Sequence, residues 1–540
     1  MPPGKATYTP RNHRRVLCIF PQYSRSFGTF NHAYPLMGRK IKAFMPPQGI
    51  LLVASYLPQT WEVRLIDENV AAAKPADYRW ADVVITSGMH IQRPQINRIN
   101  DLAHRYGKLT AVGGPSVSGC PDYYPDFDIL HLGELGDATD KMIEYFDLHG
   151  STRPPEQIRL ETSARLPLSE FPVPAYQHVN MQNYFLGSVQ FSSGCPFRCE
   201  FCDIPELYGR NPRLKTPEQV VRELDVMLAS GNPGAVYFVD DNFIGNRRAV
   251  TELLPHLIDW QKRNGYPIQF ACEATLNIAQ SPKLLEMMRE AYFCTVFCGI
   301  ETPETDALQA ISKDQNLSMP ILEAIKTLNS YGMEVVSGII IGFDTDTPET
   351  GDRILDFIRT SQIPTLTINL LHALPRTPLW RRLEAEGRLN HDEHRESNVE
   401  FLMPYEQVIE MWQRCISRAY EPEFLYERFA YQIQHTYPNR ISVPNSPARV
   451  SKANILKGLR AMRNILLQVG ILSHYRQTFW KMAWPALKAG KIESVIHVGV
   501  VGHHLIKFAQ ECRQGNEAAS FYAQHLRKKP VAPTQPALKS

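Results

Sequence analysis

Three cysteines with close, unequal spacing carry the strongest chemical signal in this 540-residue chain. Cys195, Cys199 and Cys202 form a C-x3-C-x2-C motif directly after a predicted buried strand at residues 188–191. Thiolates are the soft ligands that iron–sulfur clusters require, and three of them leave one iron of a [4Fe-4S] cluster open. A structural zinc ion would need a fourth protein ligand, and Asp203 is poorly placed because it adjoins Cys202. The motif therefore predicts that these cysteines are metal-binding and catalytic residues.

The elements that must position this motif form two series in which strands alternate with helices. The first series predicts a parallel, doubly wound, Rossmann-like sheet, and the second, which begins just before the cysteines, predicts a partial (β/α)6 barrel. A helical region follows, so the fold class is α/β with a helical C-terminal domain. The predicted divisions are a disordered N-terminus at 1–14, the doubly wound domain at 15–150, a linker at 151–185, the barrel core at 186–390, the helical domain at 391–515 and a tail at 516–540.

Composition limits the class of protein. Hydrophobic residues make up 44% and charged residues 21%, which is typical of a folded globular chain. Ten unevenly spread cysteines without a secretory leader favour a reducing compartment, so we expect a cytoplasmic protein. The longest apolar stretch near the end, residues 495–508, is interrupted by histidine and lysine, and it predicts no membrane span.

The cysteine motif, with Phe201 before its last cysteine, resembles that of the radical S-adenosylmethionine (SAM) superfamily over residues 186–375. In that family SAM chelates the open iron, and an electron from the cluster releases methionine and a 5′-deoxyadenosyl radical. The resemblance implies a SAM site made of groups at the ends of successive strands, and the alternative for each acid is a helix cap or a surface carboxylate. The implied SAM-binding residues are Asp240, Asp241, Glu273, Glu301, Gly338 and Gly342.

The first domain resembles the cobalamin-binding domain of the B12-dependent radical SAM class. Gly113-Gly114-Pro115 and Gly133-Glu134 stand where that class has its GGP and GE loops, so Gly113, Gly114, Gly133 and Glu134 are implied cobalamin-binding residues. A dinucleotide site is disfavoured because the first turn lacks G-x-G-x-x-G. The D-x-H-x-x-G motif that supplies a cobalt ligand elsewhere is absent, and His90 is either an ordinary strand-end residue or a neighbour of cobalt.

From residue 15 to about 522 the chain resembles the hopanoid C-2 methylases, in stretches such as FGTF (27–30), AFMPPQG (43–49) and YGRNPRLKTP (208–217). The resemblance implies that methylcobalamin methylates an unactivated ring carbon of a hopanoid such as diploptene or diplopterol. Such a carbon has no acidic proton or lone pair, so a radical must activate it. The implied partners are this lipid and an electron donor such as flavodoxin or ferredoxin. The open alternatives are another B12-dependent radical SAM reaction on a different lipid or natural product, and a cobalamin or iron–sulfur sensor.

The C-terminal segment is strongly basic. Residues 446–540 contain 15 Lys and Arg against 3 Asp and Glu, whereas the rest of the chain contains 43 against 52. An amphipathic basic helix predicted at 453–472 either lies on an anionic membrane, on the inner face of the cytoplasmic membrane, or packs on the barrel. No helix-turn-helix or aromatic–basic platform is visible, so we expect no nucleic acid partner. The residues of this helix that carry the pattern are Ile455, Leu459, Met462, Leu466 and Val469, with Lys457, Arg460 and Arg463.

Overall fold

The computed structural model describes residues 8–38, 40–392, 395–444, 446 and 452–514. The chain folds into two parallel sheets that are followed by a group of helices. The predicted tail at 516–540 lies outside the described residues, as do the first seven residues of the predicted disordered N-terminus. No helix in the described part of the chain is long and apolar enough to cross a bilayer.

The first sheet contains six strands, which alternate with the helices of the N-terminal domain. The strands are β1 (Arg15–Phe20), β2 (Glu62–Asp67), β3 (Val83–Ser87), β4 (Leu109–Gly113), β5 (Ile129–Leu132) and β6 (Ile158–Glu161). The helices are α1 (Tyr34–Met37), α2 (Gln48–Tyr56), α3 (Pro75–Trp80), α4 (Arg93–Arg105), α5 (Pro115–Gly119) and α6 (Asp137–His149). The parallel strands lie in the order β2-β1-β3-β4-β5-β6, which confirms the predicted doubly wound architecture.

The central strand β1 shows why this sequence forms a buried parallel sheet. After its first residue, β1 is apolar throughout and buried. Val16 and Cys18 belong to the main core, and Leu17 and Ile19 belong to a separate core cluster on the opposite face. Because β2 and β3 flank β1 on its two sides, the chain leaves a crevice beyond the carboxyl ends of β1 and β3.

Two boundaries of this domain differ from the predictions. Residues 8–14, which were expected to be disordered, contact the end of α6, since the backbone N–H groups of Arg11 and Asn12 donate to the Asp147 carboxylate at 2.8 Å. The predicted linker at 151–185 contains β6, which pairs with β5 at the edge of the sheet. β6 has a weak sequence pattern because two of its four residues are exposed, two are only partly buried, and two are charged.

The second sheet forms the partial barrel. Its parallel strands lie in the order β14-β13-β12-β11-β10-β7, and a two-stranded antiparallel pair, β8 and β9, follows β7. The strands are β7 (Gly187–Val189), β8 (Ser192–Ser193), β9 (Arg213–Leu214), β10 (Ala235–Phe238), β11 (Gln269–Glu273), β12 (Phe293–Glu301), β13 (Glu334–Ile341) and β14 (Thr365–Leu370). The helices are α7 (Ile204–Tyr208), α8 (Pro217–Ala229), α9 (Arg247–Asn264), α10 (Pro282–Glu290), α11 (Thr305–Ala310), α12 (Ile321–Ser330), α13 (Thr350–Ser361) and α14 (Pro378–Ala385).

The C-terminal helices pack on both the N-terminal domain and the barrel. The Trp412 indole N–H donates to the carbonyl oxygen of Ile368 on β14 at 2.9 Å. Phe27, from the N-terminal domain, stacks on Tyr420 at 5.1 Å and meets Phe508 edge-on at 4.5 Å between ring centroids. The C-terminal region therefore joins the two other domains. Its helices are α15 (Tyr405–Ala419), α16 (Pro422–Tyr431), α17 (Lys452–Gln468), α18 (Arg476–Lys488) and α19 (Ile492–Arg513).

A buried ion pair supports the loop that follows the cysteines. The Lys215 ammonium lies 2.5 Å from the Glu223 carboxylate on α8, and both side chains are excluded from solvent. Burial raises the pKa of Glu223, and the charge of Lys215 opposes that shift. The Lys215 N–H also donates to the carbonyl oxygen of Phe191 at 2.8 Å, so this residue links α8 to the strand before the cysteine motif.

We predict that Lys215→Met lowers the free energy of unfolding of the barrel by about 3–5 kcal/mol, because it leaves the Glu223 carboxylate buried without a counter-charge. Urea unfolding followed by far-UV circular dichroism measures this loss. The double variant Lys215→Met/Glu223→Leu should recover most of it, and an equal loss in both variants would contradict the explanation. Arg248→Met, which breaks an exposed ion pair with Glu252, is the control and should cost under about 1 kcal/mol.

Candidate functional site

The cysteine loop follows β8 and is shaped by its own backbone. Gly194 begins the loop with φ of +100°, and a Cβ atom there would lie 2.8 Å from the carbonyl oxygen of Gly209. Only glycine fits this position without strain. The Cys195 N–H donates to the same Gly209 oxygen at 3.2 Å, and the Cys202 N–H donates to the carbonyl oxygen of Cys199 at 3.1 Å. The loop therefore has a defined shape in the protein alone.

The Asp240 carboxylate holds the chain just before this loop. It accepts hydrogen bonds from the N–H of Phe191 at 3.1 Å, from the Ser192 hydroxyl at 2.5 Å and from the Ser192 N–H. Burial raises its pKa to about 7, although these hydrogen bonds lower it. The structure thus gives Asp240 a positioning role, and its predicted contact with SAM stays a prediction.

The three cysteines of the motif have free thiols. Cys199 is buried, and Cys195 and Cys202 are partly buried. Burial raises the pKa of Cys195 and of Cys202, and the charges of the neighbouring cysteines add to the rise. Within the described residues, no three His, Cys, Asp or Glu side chains are arranged around a single metal ion. A four-iron cluster is bound differently, since each thiolate binds a different iron atom. The positive charge of the irons would stabilise the deprotonated form of each cysteine.

Two amide side chains donate toward the thiols. The Gln315 Nε2 atom lies 3.3 Å from Cys199 Sγ, and the Asn242 Nδ2 atom lies 4.0 Å from Cys195 Sγ. Such donors suit thiolates that bind a cluster, because hydrogen bonds to the sulfur atoms are one of the ways in which a protein sets the cluster's potential. Gln315 was absent from the sequence predictions, since it reaches the cysteine loop from a segment more than one hundred residues away.

A buried cation lies beside the same loop. The Lys313 Nζ atom is 2.6 Å from Glu301 Oε1 and 5.5 Å from the centre of the Phe201 ring. Burial alone would lower the pKa of Lys313, but the charges of Glu301 and Cys199 raise it above its usual value. Glu301 itself has φ of +64°, a conformation that a non-glycine residue adopts only where the surrounding structure imposes it. Lys313 was not predicted from the sequence.

The predicted carboxylates converge beyond the ends of β10, β11 and β12. Asp241 accepts a hydrogen bond from the Gly194 N–H at 2.7 Å, and Glu273 accepts one from the Tyr237 hydroxyl at 3.2 Å. Burial raises the pKa of Asp241 to about 6 and that of Glu273 to about 7, and each carboxylate is also raised by its acidic neighbours. This excess of buried negative charge fits a positively charged ligand, and SAM carries both a sulfonium and an ammonium group.

The two predicted glycines, Gly338 in β13 and Gly342 directly after it, have different surroundings. A Cβ atom on Gly338 would lie 3.4 Å from Thr367 Oγ1 and 3.7 Å from Glu301 Oε2, so Gly338 adjoins the carboxylate group. Gly342 has φ of +109°, and a Cβ atom there would lie 2.4 Å from the Phe401 ring. Packing and backbone conformation therefore account for Gly342, and its predicted contact with SAM stays untested.

A cavity of about 610 Å³ lies between the N-terminal sheet and the barrel. It opens at the carboxyl ends of β1 and β3, where a doubly wound sheet binds its ligands. Both domains contribute to its wall, because Ser87 to His90 line one side and Ser193, Asp203 and Asp241 line another. The cavity thus extends from the predicted cobalamin domain to the cysteine loop.

The predicted glycine loops form part of this wall. Gly113, Gly114 and Gly133 all line the cavity. Gly114 has φ of +97°, and a Cβ atom there would lie 2.7 Å from Ser87 Oγ. The loop after β4 consequently needs glycine at position 114 in order to approach the end of β3. Because glycine has no side chain, the cavity wall at this position is formed by backbone atoms. A wall formed by backbone atoms leaves room for a large planar cofactor such as cobalamin.

Glu134 joins the two domains. Its carboxylate lies 2.5 Å from Arg213 Nη2 and 3.2 Å from Arg165 Nη1, and it accepts a hydrogen bond from the Ser193 hydroxyl at 3.2 Å. Ser193 and Arg213 flank the cysteine loop, so Glu134 ties the predicted cobalamin domain to the cluster loop. The glutamate of the GE motif therefore acts here between two protein loops, while its predicted contact with cobalamin stays untested.

Neutral histidines line the same cavity. The imidazole of His90 lies 3.0 Å from the Ser116 hydroxyl, and that of His131 lies 2.9 Å from the Thr139 hydroxyl. Burial lowers the pKa of both histidines to about 4, so both are uncharged at neutral pH. Each histidine lies within hydrogen-bond distance of a nearby hydroxyl group, as expected of an ordinary polar residue at the end of a strand.

Comparison with known proteins shows which family this chain is related to. A model described as the radical SAM superfamily matches residues 189–358, and a model of a domain of unknown function (DUF4070) matches residues 377–518. The hopanoid C-2 methylase of Rhodopseudomonas palustris (strain TIE-1) is 58% identical over 96% of this chain and 98% of its own length. An uncharacterised methyltransferase of Synechocystis is 34% identical over 93% of each chain.

A solved structure shares the fold. The cobalamin-dependent radical SAM enzyme OxsB, with aqua-cobalamin and SAM bound, superimposes with a TM-score of 0.57 at 14% identity, over 94% of this chain and 82% of its own. This likeness confirms the predicted fold class, and the nearly full-length identity to the R. palustris protein confirms the predicted relationship. The chain belongs to the hopanoid C-2 methylase family of the radical SAM superfamily.

Proposed function

We propose that this chain is a cobalamin-dependent radical SAM methyltransferase that methylates C-2 of a hopanoid such as diploptene or diplopterol. One observation carries the proposal: Ser193 and Asp203, which flank the cysteine loop, Asp241 beyond β10, and the glycine loops of the N-terminal sheet line one cavity, in a chain 58% identical to a hopanoid C-2 methylase. An iron–sulfur or cobalamin sensor has no need for this shared cavity.

The residues in and around this cavity each have a place in this reaction. Cys195, Cys199 and Cys202 would hold a [4Fe-4S] cluster, and Asp241 and Glu273 would balance the positive charge of SAM. When bound, the cluster supplies the electron that cleaves SAM, and cobalamin carries the methyl group. The glycine loops beyond β4 and β5 support cobalamin through their backbone. No side chain needs to act as an acid or base on the substrate, because the carbon that reacts has no acidic proton.

The chain must also keep water and stray hydrogen donors away from a reactive carbon. The cavity is suited to this task because apolar side chains of the N-terminal domain and the barrel line much of it. Such a wall also suits a triterpenoid, which offers few groups for hydrogen bonding. The apolar lining residues include Met45, Pro46, Pro47, Leu52, Val53, Met89 and Leu374.

The proposal includes two partners outside the chain. An electron donor such as flavodoxin or ferredoxin reduces the cluster, since each SAM cleavage consumes an electron. The substrate is a membrane lipid, so we place the enzyme in the cytoplasm in peripheral contact with the membrane that holds it.

Cys199→Ala should abolish cluster binding, because two thiols are too few to hold the four irons. We expect the anaerobically reconstituted wild-type chain to contain about four irons and to cleave SAM, and the variant to lose both. Iron analysis and detection of 5′-deoxyadenosine measure the two effects. Cys512→Ala, which changes a partly buried cysteine on α19, is the matched control and should keep both. Retained SAM cleavage in Cys199→Ala would remove the cluster assignment.

Gln315→Leu should make the reduction potential of the cluster more negative. The amide hydrogen bond to Cys199 Sγ stabilises the reduced, more negative cluster more than the oxidised one, and a difference of about 1 kcal/mol corresponds to roughly 40 mV. Redox titration followed by electron paramagnetic resonance measures the shift. Gln309→Leu, an exposed position on α11, should leave the potential unchanged. Equal potentials for both variants would show that this hydrogen bond does not act on the cluster.

Deletion of the gene from a host that makes 2-methylhopanoids and has no second copy should abolish those lipids. Complementation with the wild-type chain should restore them, and complementation with Cys199→Ala should not. Mass spectrometry of extracted lipids measures the outcome. Unchanged 2-methylhopanoids in the deletion strain would reject the substrate and leave the cofactor assignments intact.

A further inference from the structure

Exposed apolar side chains are concentrated in one part of the described chain. Of the twelve large apolar side chains that the described residues expose, eight lie between Ile455 and Ile492. We call seven of these the basic apolar face, because they lie on α17, on the turn after it and on α18. Its residues are Ile455, Leu456, Leu459, Leu467, Ile471, Leu472 and Trp484.

The exposed side of α17 is opposite the side that packs. Ala461, Ile465 and Val469 are buried against the rest of the protein. At 3.6 residues per turn, Ile455, Leu456, Leu459 and Leu467 fall within about a third of the helix circumference on the other side. The predicted amphipathic stripe is thus divided, because Val469 packs inward whereas Ile455 and Leu459 stay exposed.

Contacts between α17 and α18 bring the rest of the face together. The Trp480 indole N–H donates to the carbonyl oxygen of Gly470 at 2.9 Å, which sets α18 beside the turn that carries Ile471 and Leu472. The Trp484 ring lies one helical turn further, 6.3 Å from the Trp480 ring. The exposed leucines of the turn and the exposed tryptophan therefore belong to one continuous region.

The charge of this region is uniform. Residues 452–492 contain eight Lys and Arg and no Asp or Glu. Lys452, Arg460 and Arg463 are exposed on α17, and the Lys488 ammonium lies 5.3 Å from the centre of the Trp484 ring. Apolar side chains interleaved with Lys and Arg, with a tryptophan at the edge, are typical of helices that lie in a membrane interface.

We infer that the basic apolar face docks the enzyme on an anionic lipid bilayer. A second copy of the chain is a poor occupant, because two identical basic faces repel each other. An anionic bilayer supplies both the negative headgroups and the apolar layer that the face lacks. The inference rests on the proposed function in one respect, since a hopanoid must be taken from such a bilayer.

The position of the face suits that purpose. The Asn464 amide on α17 donates to the carbonyl oxygens of Pro35 and Leu36 at 3.3 and 3.2 Å, so α17 packs on α1. The chain that leaves α1 then enters the wall of the large cavity at residues 45–50. The segment after α1 consequently connects α17, the helix that carries much of the basic apolar face, to the large cavity.

Co-sedimentation with vesicles tests the inference without using methylation. The reconstituted full-length enzyme is mixed with vesicles of phosphatidylglycerol and phosphatidylcholine, or of phosphatidylcholine alone, both free of hopanoid. We expect binding to the anionic vesicles that exceeds binding to the neutral ones at least fivefold and that weakens in 0.5 M salt. Wild-type enzyme that stays in the supernatant with anionic vesicles would overturn the inference.

Matched variants locate the surface. Leu459→Ser/Leu472→Ser should weaken binding at least tenfold, whereas Leu148→Ser/Leu402→Ser, which removes equally exposed leucines elsewhere, should not. The exposed fractions are 61% and 76% in the first pair and 53% and 67% in the second. Arg460→Gln/Arg463→Gln should weaken binding to the anionic vesicles alone. Equal binding by the two leucine pairs would overturn the inference, provided that iron content shows both to be folded.

The remaining outcomes are also decisive. If light scattering shows a dimer that Leu459→Ser/Leu472→Ser dissociates, the face is covered by a second copy and the bilayer is excluded. If the enzyme binds anionic vesicles through this face but makes no methylated hopanoid, the proposed substrate fails and the docking surface stands. Failure of one proposal is therefore distinguishable from failure of the other.

Discussion

Three thiols can share one cluster only if the chain before them is held rigidly, and a buried carboxylate provides that constraint. Asp240 is 1% exposed, and its oxygens accept hydrogen bonds from Phe191 and Ser192 at the start of the loop. Gly194 then turns the chain through a conformation that other residues rarely adopt. The main role of a carboxylate in this position is to accept hydrogen bonds from backbone N–H groups, because buried N–H groups without a partner would destabilise the fold. The protein itself therefore holds the backbone that leads into the cysteine loop.

The electrostatics of the site follow from what surrounds that loop. Burial and neighbouring acids raise the pKa of Asp241 to about 6 and that of Glu273 to about 7. A bound cation lowers the pKa of nearby acids, and both carboxylates would then be fully ionised. Binding of a sulfonium ligand would thus be accompanied by the release of protons from these carboxylates. The Lys313 ammonium, paired with Glu301, lies beside the cysteine loop.

The sequence revealed those features that a local pattern can encode. β1 and β13 are nearly continuous apolar runs, which is typical of buried parallel strands, and the cysteine motif is local by nature. β6 was missed, because a short, half-exposed edge strand with two charges resembles a linker. Gln315 and Lys313 were missed for another reason: their contacts with Cys199 and Glu301 depend on how the segment after α11 folds back on the barrel. Asp240 was found, but its role in fixing Ser192 depends on tertiary structure.

The link between the two sheets bears most directly on the proposed reaction. Transfer of a methyl group to a carbon radical requires the donor, the radical and the substrate carbon to be held within a narrow range of distances. Glu134 follows β5 of the N-terminal sheet, and its partners Ser193 and Arg213 flank the cysteine loop of the barrel. These contacts are partly shielded from water, where ion pairs are stronger and more directional than at an exposed surface. The two cofactor domains consequently meet at Ser193, directly before the cysteine loop, and at Arg213 on β9, so a change in the spacing of the domains would displace the start of the cysteine loop.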